Sequence, residues 1–259
     1  MTNGSEHRLM TAEREQRIME LLRGGGVLPV ARLAAELGVS EATVRRDLQD
    51  MHERKLLQRV RGGAALRVQE REEPLFHDKE SRNSAAKQRI AERALALIED
   101  HDVIYLDGGS TLLMLARLLD ARKDLTIVTN SLMAAAALMT MPHRLILVGG
   151  EFRALSRTLV GPLTASVIQS VRVDKAFMGT IGFTLEDGMT TTDPGEAFTK
   201  EQVMPRANQV ILLADSSKLG RPSFARSGKV EDIDVLITDA VAPEFEKELE
   251  QRGVEVLVA

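Results

Sequence analysis

Apolar positions near the start of the chain recur at a helical spacing. Within residues 12–23, Ile18, Leu21 and Leu22 stand at i, i+3 and i+4, the stripe of an amphipathic helix. Gly24-Gly25-Gly26 ends it. Val30, Leu33, Ala34 and Leu37 share one face of a second, shorter helix over 30–37, which Gly38 stops. Val39-Ser40 makes the turn. Ser40 is a good N-cap for a third helix from Glu41 to about Arg54, whose core stripe is Val44, Leu48 and Met51. Leu56 to Arg61 reads as a short strand, Gly62-Gly63 turns it, and Ala64-Ala65-Leu66 returns as a second.

Residues 67–80 are dominated by charge and contain Pro74, so they read as a linker. A helix over 82–99 follows, with Ile90, Ala94, Leu97 and Ile98 as its apolar face. The period then changes. Short apolar runs stand at 103–106, 125–128, 145–148, 173–178, 210–214, 235–238 and 254–258. Helical stretches near 111–119, 131–140, 161–170, 195–206 and 243–252 separate most of them. Continuous apolar strands between helices indicate a largely parallel sheet covered on both faces. The expected fold class is therefore multidomain α and α/β: a small helical module, then an α/β domain over 81–259.

Composition narrows the functions open to such a chain. Of 259 residues 44% are apolar, enough for packed cores, but only 3% are aromatic, with no Trp and one Tyr. That argues against a stacking platform for single-stranded nucleic acid. The absence of Cys excludes disulfides, thiolate catalysis and Cys-ligated zinc. His7, His52, His77, His101 and His143 show no metal-ligand spacing, and nothing implies a cofactor. Residues 1–10 do not read as a signal peptide, and the longest apolar run, Leu132 to Met139, is far short of a membrane span. The expectation is a soluble, cytoplasmic protein with no membrane partner. The net charge of −4 hides an asymmetry. Residues 1–67 hold 12 Lys and Arg against 9 Asp and Glu, a balance of +3, and the remainder holds 22 against 29, a balance of −7. A basic head on an acidic body suits a nucleic-acid reader joined to a separate domain.

Three helices with a tight turn, followed by a Gly-turned strand pair, is the order of a winged helix-turn-helix, whose recognition helix enters the major groove of duplex DNA. On the third helix, Ala42, Arg46 and Gln49 lie opposite the core stripe, with Arg45 on the flank. Arg can fork onto guanine and Gln onto adenine. Ser40 and Thr43 at the helix N-terminus suit phosphates. Arg59 and Arg61 in the wing suit backbone charge. A solvated helix face is the bland alternative for the arginines, and the coincidence of turn, helices and wing weighs against it.

In the second domain, Asp107-Gly108-Gly109-Ser110-Thr111 follows an expected strand and opens a helix. Its glycines, hydroxyls and free helix N–H groups suit a phosphate. Thr129-Asn130, Gly149-Gly150, Gly179 to Gly182 and Asp215 to Lys218 lie at the carboxyl ends of other strands, where open α/β sheets bind ligands. Taken one by one, such turns are more often ordinary loops.

The run Val39-Ser40-Glu41-Ala42-Thr43-Val44-Arg45-Arg46-Asp47-Leu48, followed by Arg61-Gly62-Gly63-Ala64, resembles the signature of DeoR-family bacterial transcription regulators, VSxxTIRRDL then LxRxHGGA. Val44 stands where the family has Ile, and Arg61 where it often has His. The second domain carries the resemblance on, through the Asp107 loop, Thr129-Asn130, Gly149-Gly150, residues 174–179, Glu196 with Lys200, and residues 213–218. The resemblance implies a DNA-binding domain over about 11–66, with the helix-turn-helix near 28–47. It also implies a sensor domain similar in fold to ribose-5-phosphate isomerase. By it, the partners are double-stranded operator DNA and a phosphorylated sugar or polyol, and the commonest mode is repression of a carbohydrate or polyol operon. It gives Ser110 and Thr111 the phosphate, and sets Asp107, Glu196, Lys200 and Lys218 around the sugar. Glu196 and Lys200, four apart, also have the spacing of a surface helix pair. Helix-turn-helix readers usually pair to span two half-sites, so a homodimer or higher homo-oligomer is expected. The competing reading is a sugar-phosphate isomerase with a DNA-binding appendage, but no distinctive acid–base pair supports it.

Overall fold

The computed structural model describes residues 11–23, 27–54, 56–60, 62–66 and 73–259. The chain divides into two compact units, Met1–Glu72 and Glu73–Ala259.

In the first unit, α1 (Thr11–Arg23), β1 (Val27–Pro29), α2 (Val30–Leu37), α3 (Glu41–Glu53), β2 (Leu57–Val60) and β3 (Gly63–Leu66) follow in order. The three helices bury the expected stripes: Ile18, Leu22, Leu33, Val44, Leu48 and Met51 form one core with Leu57 of β2. Ser40 caps α3, its hydroxyl accepting from the Thr43 N–H at 3.2 Å. The strands make an antiparallel sheet in the order β1-β3-β2. β1 was not expected. It is three residues long and is a strand only because β3 pairs with it, Leu28 opposite Ala64.

The second unit opens with α4 (Phe76–Ser81) and α5 (Ser84–Leu95). The stretch 73–80, read from the sequence as linker, is thus built into this unit. Glu73 and Phe76 are buried, and the Phe76 ring lies under the Arg157 guanidinium at 5.5 Å. Then come β4 (Val103–Leu106), α6 (Ser110–Leu118), β5 (Thr126–Thr129), α7 (Leu132–Leu138), β6 (Arg144–Leu147), β7 (Glu151–Arg153) and β8 (Thr158–Val160). They are followed by α8 (Ala165–Gln169), β9 (Val173–Gly179), β10 (Gly182–Thr184), β11 (Gly188–Thr191) and α9 (Pro194–Val203). The chain ends with β12 (Ala207–Leu213), β13 (Ala225–Gly228), β14 (Val235–Thr238), α10 (Pro243–Gln251) and β15 (Glu255–Val258).

All seven expected apolar runs pair in one sheet, ordered β15-β14-β12-β9-β4-β5-β6 and parallel throughout. Alternate residues enter two cores. Ile104, Ile127, Phe177, Ile211 and Ile237 pack with α5, α6 and α7. Tyr105, Val128, Met178, Leu212 and Leu236 pack with Ile168 of α8, Val203 of α9 and Leu249 of α10. The period-2 pleat therefore explains both layers. From β4 the chain builds outward through β5 and β6, then returns to the other side of β4 as β9. The order of winding reverses between β4 and β9, and a ligand crevice forms at the carboxyl ends of strands at such a reversal.

Candidate functional site

On α3, Ala42, Arg45 and Arg46 are exposed and Gln49 is half-buried. Arg45 folds back along the helix onto Glu41 at 2.6 Å, an exposed pair. The Arg46 side chain has no partner among the described residues. Gln49 is engaged at both ends: its amide donates to Glu53 at 2.6 Å and its carbonyl accepts from Arg59 of β2 at 2.6 Å. Arg59 thereby ties the wing to α3. Arg61 lies outside the described residues. On the inner side, Asp47 is buried and takes a two-pronged pair from Arg14 of α1, at 2.8 and 3.0 Å, which fixes the helix that presents the arginines.

At the winding reversal of the second unit, Asp107 directly follows β4 and its carboxylate accepts the Gly179 N–H of β9 at 3.0 Å. Lys200 of α9 pairs with the same oxygen and donates to the Gly179 carbonyl at 2.9 Å. Both side chains are buried, so the pair bridges β4, β9 and α9. The chain then passes through Gly108 and Gly109 into α6. Gly109 has φ 139°, a conformation side chains disfavour. A Cβ on Gly108 would stand 2.2 Å from Thr158. Ser110 and Thr111 open the helix, largely buried, with no hydroxyl partner among the described residues.

The neighbouring loops differ. Thr129 spends its hydroxyl internally, donating to the Leu106 carbonyl at 2.7 Å and accepting from the Ser131 N–H. Asn130 donates to the Leu159 carbonyl at 3.1 Å, and its buried carbonyl oxygen has no partner. Gly149 and Gly150 follow β6 and lead into β7. Gly182 pairs with Thr190 in the small antiparallel sheet β10-β11-β13. A Cβ there would meet the Arg221 carbonyl at 2.0 Å, so packing alone accounts for this glycine. Lys218 is half-buried beyond β12. Burial, more than any neighbour, holds its ammonium below the usual lysine range, with Asp215 pulling the other way and Lys79 and Arg82 adding to the depression.

Glu196 and Lys200 do not form the surface pair their spacing permits. Both are buried, and Glu196 accepts from Thr191 at 2.5 Å and Arg153 at 3.1 Å. An open hollow of about 550 Å³ lies on the same edge of the sheet, lined by Ser81, Asn83, Ser84, Ser216, Ser217 and Asp239 among others. Of the loops expected at strand ends it takes in Ser216 and Ser217 of 215–218, and among the described residues of its lining Asp239 alone is charged.

Known families match the chain in the same two parts. The DeoR-like helix-turn-helix domain matches residues 14–70, and the DeoR C-terminal sensor domain matches residues 82–240. The chain belongs to the DeoR family. Full-length relatives agree. The uncharacterized HTH-type transcriptional regulator FruR of Bacillus subtilis is 36% identical over 249 residues, 96% of this chain and 99% of its own. The HTH-type transcriptional regulator GlpR of Haloferax volcanii is 37% identical, covering 96% and 98%. The glycerol-3-phosphate regulon repressor of Escherichia coli is 32% identical, covering 89% and 92%. Among solved structures, a ribose 5-phosphate isomerase A from Methanocaldococcus jannaschii overlaps 53% of this chain and 55% of its own, with 22% identity and a TM-score of 0.40. A likeness that distant says nothing of catalysis.

As a DeoR-family transcription regulator, the chain has a DNA-binding unit and a sensor unit, and no described helix is long and apolar enough to cross a membrane. Of the residues expected in the sensor, Asp107, Gly179 and Lys200 are bonded together, with Gly108, Gly109, Ser110 and Thr111 adjoining in the same loop. Three residues of the DeoR-family chain escaped the sequence reading. Asp47 stood inside the quoted signature, but its spacing does not reveal a partner in α1. Arg153 lies just beyond Gly149-Gly150, and Glu73 sits in a run of charges.

Proposed function

We propose that this chain represses a carbohydrate or polyol operon, and that a phosphorylated sugar or polyol bound at the reversal between β4 and β9 sets its grip on operator DNA. The observation that carries the reading is the loop 107–111. A buried Lys200–Asp107 pair shapes its base, while Ser110 and Thr111 offer unpaired hydroxyls beside the N–H groups that open α6. The phosphate sits there, and Asp107, Glu196, Lys200 and Lys218 surround the sugar. The hollow at Ser81 and Asp239 is a poorer seat, because its one charge repels an anion. The Escherichia coli relative, a glycerol-3-phosphate regulon repressor by name, supports an effector of this class.

In the DNA unit, Arg46 and Arg45 read base edges, Ser40 and Thr43 hold phosphates, and Arg59 and Arg61 steady the wing on the backbone. The reader ends near residue 66 and acts in the cytoplasm as a homodimer or higher homo-oligomer over two half-sites. The chain is not an enzyme. Glu196, the one candidate base, has both carboxylate oxygens engaged by Arg153 and Thr191, whereas a general base needs an oxygen free to reach the substrate. Turnover of ribose 5-phosphate would overturn that statement.

The experiment is a melting screen against phosphorylated sugars and polyols, because a molecule that binds the native state raises its stability by mass action. It is followed by operator titration with and without each hit. A hit that shifts operator affinity is expected. A broad panel with no hit removes the effector and leaves the DNA reading standing.

A further inference from the structure

The cluster around Arg153 extends beyond the crevice and shares Glu196 with it. Its guanidinium, 15% exposed, faces three carboxylates: Glu73 at 2.6 Å, Glu196 at 3.1 Å and Asp193 at 3.3 Å. It also donates to Thr192 at 3.2 Å. The Glu73 carboxylate is 1% exposed and takes a second cation, Lys79, together with the Thr192 hydroxyl at 2.5 Å. Two cations thus hold the Glu73 and Glu196 carboxylates largely out of water, with Asp193 at the cluster's exposed edge. A buried cluster of that kind tolerates the loss of one member poorly, because the remaining charges are left uncompensated.

The positions of the partners give the cluster its meaning. Glu73 is the first residue of the second unit, immediately after the DNA-binding unit in sequence. Arg153 ends β7, the strand that leaves Gly149-Gly150. Glu196 lies one helical turn before Lys200 on α9, and Lys200 grips Asp107 beside the candidate phosphate loop. One short helix therefore carries both the residue that closes the base of the crevice and the residue that shares Arg153 with Glu73, each carboxylate on its own guanidinium nitrogen. Guanidinium bonds are directional. A rotation of α9 would carry Glu196 with it and strain its bond to Arg153, while the bond to Glu73 lies off that helix.

We infer that Arg153 is the coupling residue of this regulator, a positioning group that passes occupancy of the Asp107–Lys200 crevice through Glu196 to Glu73 and Lys79. This inference rests on the effector reading above. A bound phosphosugar that draws on Asp107, Lys200 or Glu196 moves α9, and Arg153 then binds Glu73 differently, at the point where the chain enters the sensor. The thermodynamic requirement is that the effector bind one arrangement better than the other. The resulting coupling is reciprocal between effector and operator.

The test uses the full chain and the variants R153M, E73Q and R153M/E73Q, each first checked for a cooperative melt. Operator affinity is measured with and without ribose 5-phosphate, glucose 6-phosphate and glycerol 3-phosphate. Hydrogen exchange is followed over residues 73–81 without any of them. In the wild type, a responding compound is expected to change operator affinity about 5-fold or more. In each variant that ratio falls to about 1, while operator binding without effector and the melting shift with it persist. The double variant is no worse than either single one, because both act through one contact. Exchange over 73–81 quickens in R153M while β4 and β9 keep their protection. A purely structural ion pair would change the melt and leave the ratio alone. If wild type and both single variants respond equally, or if exchange over 73–81 is unchanged, the inference is overturned and the effector reading stands. If the wild type answers to none of the three compounds nor to a wider panel, the effector reading fails and this inference falls with it.

Discussion

Arg45 and Arg46 are neighbours on α3 with different freedom. Arg45 is paired with Glu41, whereas Arg46 has no partner among the described residues. A forked Arg–guanine contact is worth about 1–3 kcal/mol. Arg46→Ala should therefore weaken operator binding by about that amount and relax the preference at one base pair, with Arg45→Ala losing less. Titration against single-base operator variants checks both, and equal losses would refute the distinction. Inside the sensor, removing one member of the buried Asp107–Lys200 pair strands the other, at a typical cost of about 3–5 kcal/mol. D107N and K200M should each lower the melting temperature, and D107N/K200M should lose less than their sum. Glu73 predicts a pH dependence. Burial alone would raise its pKa, but Lys79, Arg153 and Thr192 outweigh burial and hold it below the ordinary glutamate value. A carboxyl held low in the folded state contributes stability above its unfolded pKa and loses it as the pH falls through the folded one. The advantage of wild type over E73Q should thus be full near neutrality and shrink in acid, and a gap that ignores pH would show that no charged Glu73 is involved. Asp107 was legible as part of a Gly-rich strand-to-helix turn, whereas Glu196 and Lys200 were named only through the family resemblance, since their spacing alone fits a surface pair and does not announce their burial. Glu73 was not legible, since nothing in a charged run tells which acid is buried.

At the scale of elements, what was legible is what the chain decides locally. The apolar runs that became β4, β5, β6, β9, β12, β14 and β15 stand out because both faces of that sheet are covered, and their ends moved by only a few residues. The strands β1, β7, β8, β10, β11 and β13 are three or four residues long and exist through their partners, which no local pattern announces. The helix expected over 161–170 is shortened to Ala165–Gln169, preceded by a single 3-10 turn that Pro162 opens, since proline has no N–H to continue a ladder behind it. Within the reader, Leu48 is fully buried on α3. Leu48→Ala should cost about 2–5 kcal/mol and reduce operator binding through loss of folded reader, visible as loss of helical signal at a lower temperature.

For the molecule as a whole, the reader and the sensor have separate cores. Calorimetry of Leu48→Ala should move the transition of the first unit and leave that of the second where it was. A single shared shift would show that the units melt as one. The distances along the chain matter in another way. The reader's core is complete by Ala64, but Asp107 waits 93 residues for Lys200, and Glu73 waits 119 for Thr192. During synthesis, a ribosome therefore releases a finished DNA-binding fold long before the crevice beside Asp107 can close. A message interrupted between those points would leave the cell with a reader deaf to any effector.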